Sequence, residues 1–244
     1  MGDCIVRLNQ LIDQLSPAEA RVARYLLDHC QEAIGQPIET VSEACQTSKT
    51  TVVRLCKQLG FKGYKALSIA LSMELASGGE NRISYQDINP GDNIHTIIER
   101  VSQHTQAAIA DTVRVLREED VLRAVDALDK AKRVDFYGAG TSALVALDAQ
   151  QKFQRLCRDT QTSTDPHVQV VIASRLERGD AAVFFSYSGE TEDMLDTLAV
   201  AKRGGAVTIS VTRYGVNRLS RGADIPLYVA SSEMLVRSAA VELV

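Results

Sequence analysis

The chain has 244 residues, with 27 Lys and Arg against 31 Asp and Glu, for a formal net charge of -4. That length suits one large or two modest domains and can bury a sizeable core without disulfide or metal support. A composition of 45% hydrophobic and 24% charged residues excludes a wholly disordered or fibrous chain. No apolar run approaches the roughly 20 residues of a membrane span, and Met1–Gln14 carries no signal-peptide block, so no membrane association is expected.

The five cysteines (Cys4, Cys30, Cys45, Cys56, Cys157) are odd in number and widely spaced, with no CxxC pair. His29, His95, His104 and His167 do not join them at zinc-ligand spacing. The expectation is a chain of a reducing cytoplasm, with no structural metal and no cofactor. Cys45 and Cys56 stand among apolar helix positions and read as small core residues.

Met1 to about Ser77 reads as helix after helix. Ser16-Pro17-Ala18-Glu19 is a capping box with proline at the first helical position. It opens a helix with Val22, Ala23, Leu26 and Leu27 on one face, ending near Cys30. Thr40-Val41-Ser42-Glu43 reads as a second capping box, opening a short helix. Ser48 caps a third, which runs through Val52, Val53, Leu55, Cys56 and Leu59 and stops at a left-handed Gly60. A further helix covers Tyr64 to Leu75.

Ser77–Asn81 and Asn89-Pro90-Gly91-Asp92 are breaks with a linker between them. A long helix from about Asn93 to Leu116 and a shorter one from Glu119 to Lys130 lead into an alternating text. Val134–Tyr137, Ala181–Phe185, Val207–Val211 and Ile225–Val229 read as buried strands. Between them come a turn and the helix Ala143–Leu156, then the loop Ser186–Thr191 and a helix to Arg203, closed by Gly204-Gly205. Strand–loop–helix repetition with apolar strands predicts a parallel sheet covered by helices.

Between Glu43 and Glu74 there is no acidic residue, while Lys49, Arg54, Lys57, Lys62 and Lys65 place five positive charges there. The helix near Thr40–Cys45, the tight turn Gln46-Thr47 and the helix from Ser48 have helix-turn-helix proportions, which present the second helix's N-terminal residues to the major groove. The candidate DNA-binding residues are Ser48, Lys49, Thr50, Thr51, Arg54, Lys57, Lys62 and Tyr64, the last two for the phosphate backbone. The competing reading is a solvated basic face on a small helical domain.

The strings Ser16–Ala23 and Thr51-Val52-Val53-Arg54-Leu55-Cys56-Lys57-Gln58-Leu59-Gly60-Phe61-Lys62-Gly63-Tyr64 resemble the N-terminal domain of the RpiR-type bacterial transcription regulators, over Leu15 to about Leu75. Two positions depart from that pattern. Gln46 stands where the family usually places glycine, which strains a left-handed residue, and Lys49 stands where an acidic residue is common.

Gly138-Ala139-Gly140-Thr141-Ser142-Ala143 fits the GxGxxA form of a dinucleotide-binding turn, with Asp159 as the acidic residue some 20 positions on. A second loop, Ser186-Tyr187-Ser188-Gly189-Glu190-Thr191, also sits between strand and helix. Two such loops bring hydroxyls and helix N-terminal amides around a dianionic phosphate without requiring a cation. The alternative is that Ser186, Ser188 and Thr191 only cap a helix.

Residues from about Asp120 onward resemble the SIS (sugar isomerase) domain, through Val134–Ser142, Asp165-Pro166-His167, Ser186–Thr191 and Ser232–Ser238. The resemblance implies an αβα sandwich that binds a sugar phosphate, with Gly140, Thr141, Ser142, Ser186, Ser188, Gly189 and Thr191 at the phosphate and Glu233 and Ser238 near the sugar. It also implies one or two further C-terminal helices, so the end at Val244 reads as truncated or divergent.

The expected organisation is an all-α helix-turn-helix domain over 1–77, a linker over 78–92, and an α/β SIS domain with leading helices over 93–244. The first holds 8 basic and 8 acidic residues, so the whole negative excess lies in the rest. The implied function is a cytoplasmic bacterial regulator, non-enzymatic and without catalytic residues, a homodimer or homotetramer on operator DNA with a sugar-phosphate effector. A phosphosugar isomerase using His167 and Glu233, and a dinucleotide-binding redox protein, are the alternatives.

Overall fold

Apolar residues spaced three and four apart carry the first half of the chain into helices. The computed structural model describes residues 4–76, 91–156 and 158–230. In order they give α1 (Cys4–Leu11), a 3-10 turn (Ile12–Gln14), α2 (Pro17–Asp28), the single-turn α3 (Cys30–Ala33), α4 (Ile38–Ala44), α5 (Lys49–Gln58), α6 (Tyr64–Ala76) and α7 (Ile94–Val115). These form one compact unit, and a second begins at Leu116. Glu233, Ser238 and most of the expected 78–92 linker lie outside the described residues.

Local signals fix most helix ends in the first unit. Pro17 follows Ser16 into α2, and the Glu19 carboxylate reaches back to accept the Ser16 amide at 3.0 Å. Ser48 Oγ accepts the Thr51 amide at 3.2 Å to open α5. Beyond its end, Phe61 N–H donates to the Cys56 carbonyl at 2.8 Å and Gly60 N–H to that of Lys57 at 3.0 Å, the paired bonds of a Schellman stop. The capping box expected at Thr40 is absent. Pro37 (φ -62°, ψ 151°) delivers the chain into α4 at Ile38, so Thr40 and Glu43 lie inside the helix and Ser42 Oγ donates to the Glu39 carbonyl at 2.8 Å. Leu8, Val22, Leu26, Val41, Val52, Leu55 and Leu67 are fully buried between these helices. Cys45 and Cys56 fill gaps among them, and burial pushes the Cys56 thiol up to about 11.

The second unit opens with α8 (Glu118–Lys130) and continues β1 (Val134–Gly138), α9 (Thr141–Arg155), α10 (Pro166–Ala173), β2 (Ala181–Phe185), α11 (Glu192–Gly204), β3 (Val207–Arg213), α12 (Arg218–Gly222) and β4 (Ile225–Val229). The four strands form one parallel sheet in the order β1-β2-β3-β4. On one face Tyr137, Ala182 and Phe184 pack on Met194, Leu198 and Ala201 of α11, Leu219 of α12 and Ala173 of α10. On the other, Phe136, Val183, Phe185 and Ile209 meet α8 and α9 around an apolar cavity of about 260 Å³, with Phe136 edge-on to Phe153 at 5.0 Å.

Residues 159–161 lie along the outer edge of β1: Val134 N–H donates to the Asp159 carbonyl and Phe136 N–H to that of Gln161, both at 3.0 Å. In space this segment is outermost, yet in sequence it falls between β1 and β2. The chain therefore steps outward from β1 and then returns across it, which makes the β1–β2 boundary a topological switch point. Asp135 secures that edge. Fully buried within an otherwise apolar strand, it accepts two bonds from Arg133 (2.9 and 2.7 Å) and the Gln161 amide at 2.8 Å. Burial holds its carboxyl above the usual range against the pull of Arg133. Replacing Asp135 with alanine strands Arg133 and releases the edge, with an expected loss of about 3–5 kcal/mol in urea unfolding followed by the near-ultraviolet signal of the tyrosines.

Candidate functional site

The expected recognition element is built as α4, a turn at Cys45–Thr47, and α5. Gln46 takes the left-handed conformation (φ 49°) the sequence reading placed there. Val52, Leu55 and Cys56 turn inward, which leaves Lys49, Thr50, Arg54 and Lys57 exposed and Thr51 half-buried. Glu19 of α2 holds α5 from behind. Only 2% exposed, its carboxylate accepts Arg54 Nε at 3.0 Å, Arg54 Nη2 at 2.9 Å and Gln58 Nε2 at 3.2 Å. Burial alone would raise this carboxyl, but the Ser16 and Arg54 bonds hold it below the usual range.

The predicted contacts divide on this geometry. Ser48 spends its oxygen on the helix cap while remaining exposed. Lys49 forms a solvent-exposed ion pair with Glu39 of α4 at 2.5 Å, and such pairs exchange readily. Lys62 stands exposed just past the stop of α5. Tyr64 is a correction. It is 7% exposed, and its hydroxyl donates to the Ala33 carbonyl at 2.7 Å, so ring burial turns the phenol into the core rather than toward a phosphate.

In the second unit, Gly138 stands opposite Phe185 in the β1–β2 register, so the two hydroxyl-bearing loops leave the sheet side by side at the same level. Gly140 precedes α9 and Thr191 precedes α11, and neither helix has a side-chain cap on its first amides. The loop hydroxyls are spent elsewhere: Ser186 Oγ accepts the Gly189 amide at 3.2 Å and lies 3.3 Å from Thr191 Oγ1, while Ser188 Oγ accepts the Glu190 amide at 3.2 Å. They do not cap α11, which removes the simplest structural reading of that loop. Gly140, Thr141 and Ser188 are exposed, Ser142 and Thr191 half-buried, and Ser186 and Gly189 buried. Two helix starts without side-chain caps thus lie beside adjacent strand ends with hydroxyls around them, an arrangement in which helix amides can receive an anion.

Two further residues hold these loops, and neither is visible in the sequence pattern. Asn217 of the β3–α12 connection gives Nδ2 to Thr212 Oγ1 at 3.0 Å and accepts the Ser220 amide at 2.8 Å. It packs on Gly189 (φ 68°), where a β-carbon would come within 2.1 Å of Asn217 Oδ1. Gln169 of α10, fully buried, donates to the carbonyls of Gly138 (2.7 Å) and Ser163 (2.6 Å) and so fixes the root of the first loop. Asp159 bridges to Arg133 at the opposite, N-terminal end of β1, far from where a dinucleotide ribose would need an acceptor. His167 is exposed in the first turn of α10, its amide held at 2.8 Å by the cap Asp165.

Fold and site together define a two-part protein, a helix-turn-helix unit and a parallel-sheet unit with two hydroxyl-bearing loops at one end of its strands. The first matches the helix-turn-helix domain of the rpiR family over residues 3–78, and the second the SIS domain over 127–241. The chain is 33% identical over 241 residues, 99% of its length, to an HTH-type transcriptional regulator of Caldanaerobacter subterraneus subsp. tengcongensis, of which it spans 85%. It is 32% identical to the HTH-type transcriptional regulator HexR of Pseudomonas aeruginosa, with 93% of this chain and 80% of that one aligned. Among solved structures it is similar to the Vibrio vulnificus NanR protein complexed with ManNAc-6P, at 25% identity and a TM-score of 0.55, covering 98% of this chain and 84% of that one. The chain belongs to the RpiR family of HTH-type transcriptional regulators, those that join a helix-turn-helix domain to an SIS domain.

Two substitutions probe the geometry. Glu19→Gln is expected to cost about 1–3 kcal/mol at neutral pH. Because the folded pKa of Glu19 is depressed, its contribution is present above the unfolded carboxylate value and lost as pH falls through the folded one. Wild type and variant therefore converge in acid, as urea unfolding along a pH series will show. Gly189→Ala forces both a left-handed alanine and a clash with Asn217, with an expected cost of at least about 1–3 kcal/mol in thermal unfolding.

Proposed function

We propose that the protein regulates genes of sugar metabolism by binding operator DNA, and that a sugar phosphate seated at the C-terminal ends of β1 and β2 modulates that binding. The observation that carries the effector site is the pair of adjacent, uncapped helix starts of α9 and α11, with Thr141, Ser142, Ser186, Ser188 and Thr191 around them. Helix amides and hydroxyls suit a phosphate dianion, from which the sugar would extend beyond the strand ends. The likeness to the SIS domain also assigns Glu233 and Ser238 near the sugar, and both lie outside the described residues. The ManNAc-6P bound by the similar NanR protein supports a phosphosugar as the ligand class.

For DNA, α5 offers Lys49, Thr50 and Thr51 to base edges, with Arg54 and Lys57 along the same helix and Lys62 beyond it at the phosphates. A dimer or tetramer would present paired helices to a palindromic operator. No catalytic step enters this reading, and its place is the cytoplasm.

A panel of sugar phosphates titrated against operator-bound protein provides the test. At least one is expected to shift DNA affinity, and to stabilise the free protein by roughly 2.7 kcal/mol at about 100 times its dissociation constant. No shift with any of them would sink the effector assignment. Aldose–ketose interconversion of a panel member would favour an isomerase. Lys57→Ala and Lys62→Ala should each lower the salt dependence of DNA affinity by about one ion contact, with little change in sequence preference.

A further inference from the structure

Backbone strain and the side chain that braces it meet at the turn between α4 and α5. Gln46 is the one non-glycine residue with positive φ among the described residues, a conformation that a β-carbon disfavours. The amides of the turn are satisfied by α4: Gln46 N–H donates to the Glu43 carbonyl and Thr47 N–H to that of Ser42, both at 2.9 Å. Its carbonyls are taken by a residue 24 positions upstream. Arg21 Nε donates to the Cys45 carbonyl at 3.2 Å and Nη2 to the Gln46 carbonyl at 3.1 Å. Nη1 adds a longer bond, 3.5 Å, to the Pro17 carbonyl of Arg21's own helix.

A guanidinium carries its donors in a rigid plane, so two successive carbonyls held by one Arg are held in a single relative orientation. Arg21 sits on the same stretch of α2 as Glu19, which grips Arg54 and Gln58. One helix therefore braces both the turn and the recognition helix that follows it.

We propose that Arg21 is a positioning residue for DNA recognition: by fixing the carbonyls of Cys45 and Gln46 it holds a left-handed turn built without glycine, and so sets the angle at which α5 presents Lys49, Thr50 and Thr51. This rests on α4–α5 being the DNA-reading element. It requires that the need for Arg21 depend on the residue at position 46. With glycine there, the turn keeps its shape unaided and Arg21 becomes dispensable.

The test compares wild type with R21A, R21K, Q46G and R21A/Q46G as the whole chain. The probe is a duplex that the wild type selects from a randomised library, and affinity is measured over a series of salt concentrations. R21A should weaken binding about tenfold, and R21K nearly as much, because an ammonium cannot span both carbonyls as a planar fork does. Q46G alone should bind like wild type. The double variant should return to within about twofold of Q46G, with the salt slope unchanged throughout. A double variant as weak as R21A, or a slope reduced by about one contact in every Arg21 variant, makes Arg21 a direct phosphate ligand and overturns the proposal. A wild type that selects no duplex overturns the helix-turn-helix reading, and this proposal with it.

Discussion

The parallel register between β1 and β2 sets Gly138 opposite Phe185, and the two hydroxyl-bearing loops are organised around that pairing. Because side chains alternate along a strand, a slip of one residue would exchange the two faces of the slipped strand. A slipped β1 would take Phe136 off the α8–α9 face and Tyr137 off the α11 side, and a slipped β2 would do the same to Phe185 and Phe184. The burial of large aromatics on both faces thus locks the register. The locked register in turn places two loops side by side, far apart in sequence and joined only through the sheet. The edge segment 159–161, tied in by Asp135, adds the chain reversal at β1, the kind of boundary beside which open α/β sheets bind their ligands.

In the first unit the comparable constraint is a buried carboxylate. Glu19 begins as half of a local capping box and ends by binding α5 through Arg54 and Gln58. A buried charge is tolerated only when its bonding is nearly complete, so α2 and α5 are locked by the need to satisfy one oxygen pair. The cost falls on Arg54, a cation engaged inside the protein while 61% of its side chain faces solvent. Lys49, Lys57 and Lys62 stand exposed on α5 and just past its end. An overall charge of -4 gives no hint of this, since it averages a neutral helical half with an acidic sheet half.

What the sequence made legible follows from the range of the interactions. β2 and β4 match their expected limits because strands buried on both faces are written as short apolar runs between polar breaks. The α2 and α5 caps and the Gly60 stop were readable because each involves residues within a few positions of one another. The expected α4 opening at Thr40 is displaced because Pro37, with its fixed φ, delivers the chain into the helix three residues earlier. Tyr64 was misplaced because a phenol is equally suited to a phosphate or to a buried carbonyl, and only packing decides. Arg21, Asn217 and Gln169 were beyond reach: the bonds that define Arg21 and Gln169 run 24 to 31 residues along the chain, and Asn217 meets Gly189 28 positions away. The helical period of α2 and α10 does not mark which distant partner Arg21 or Gln169 will meet, and Asn217, in a connection, has no period at all.

The contact between Gly189 and Asn217 bears on how such a site changes over generations. Residue 189 cannot gain a side chain while Asn217 occupies the space beside it, and Asn217 cannot depart without abandoning the Ser220 amide and the Thr212 hydroxyl. Each blocks the other's first step, so single mutations at this corner meet a barrier from either side. Change in this loop is thereby expected at its exposed positions, such as Ser188 and Glu190, while residues 189 and 217 are inherited as a unit.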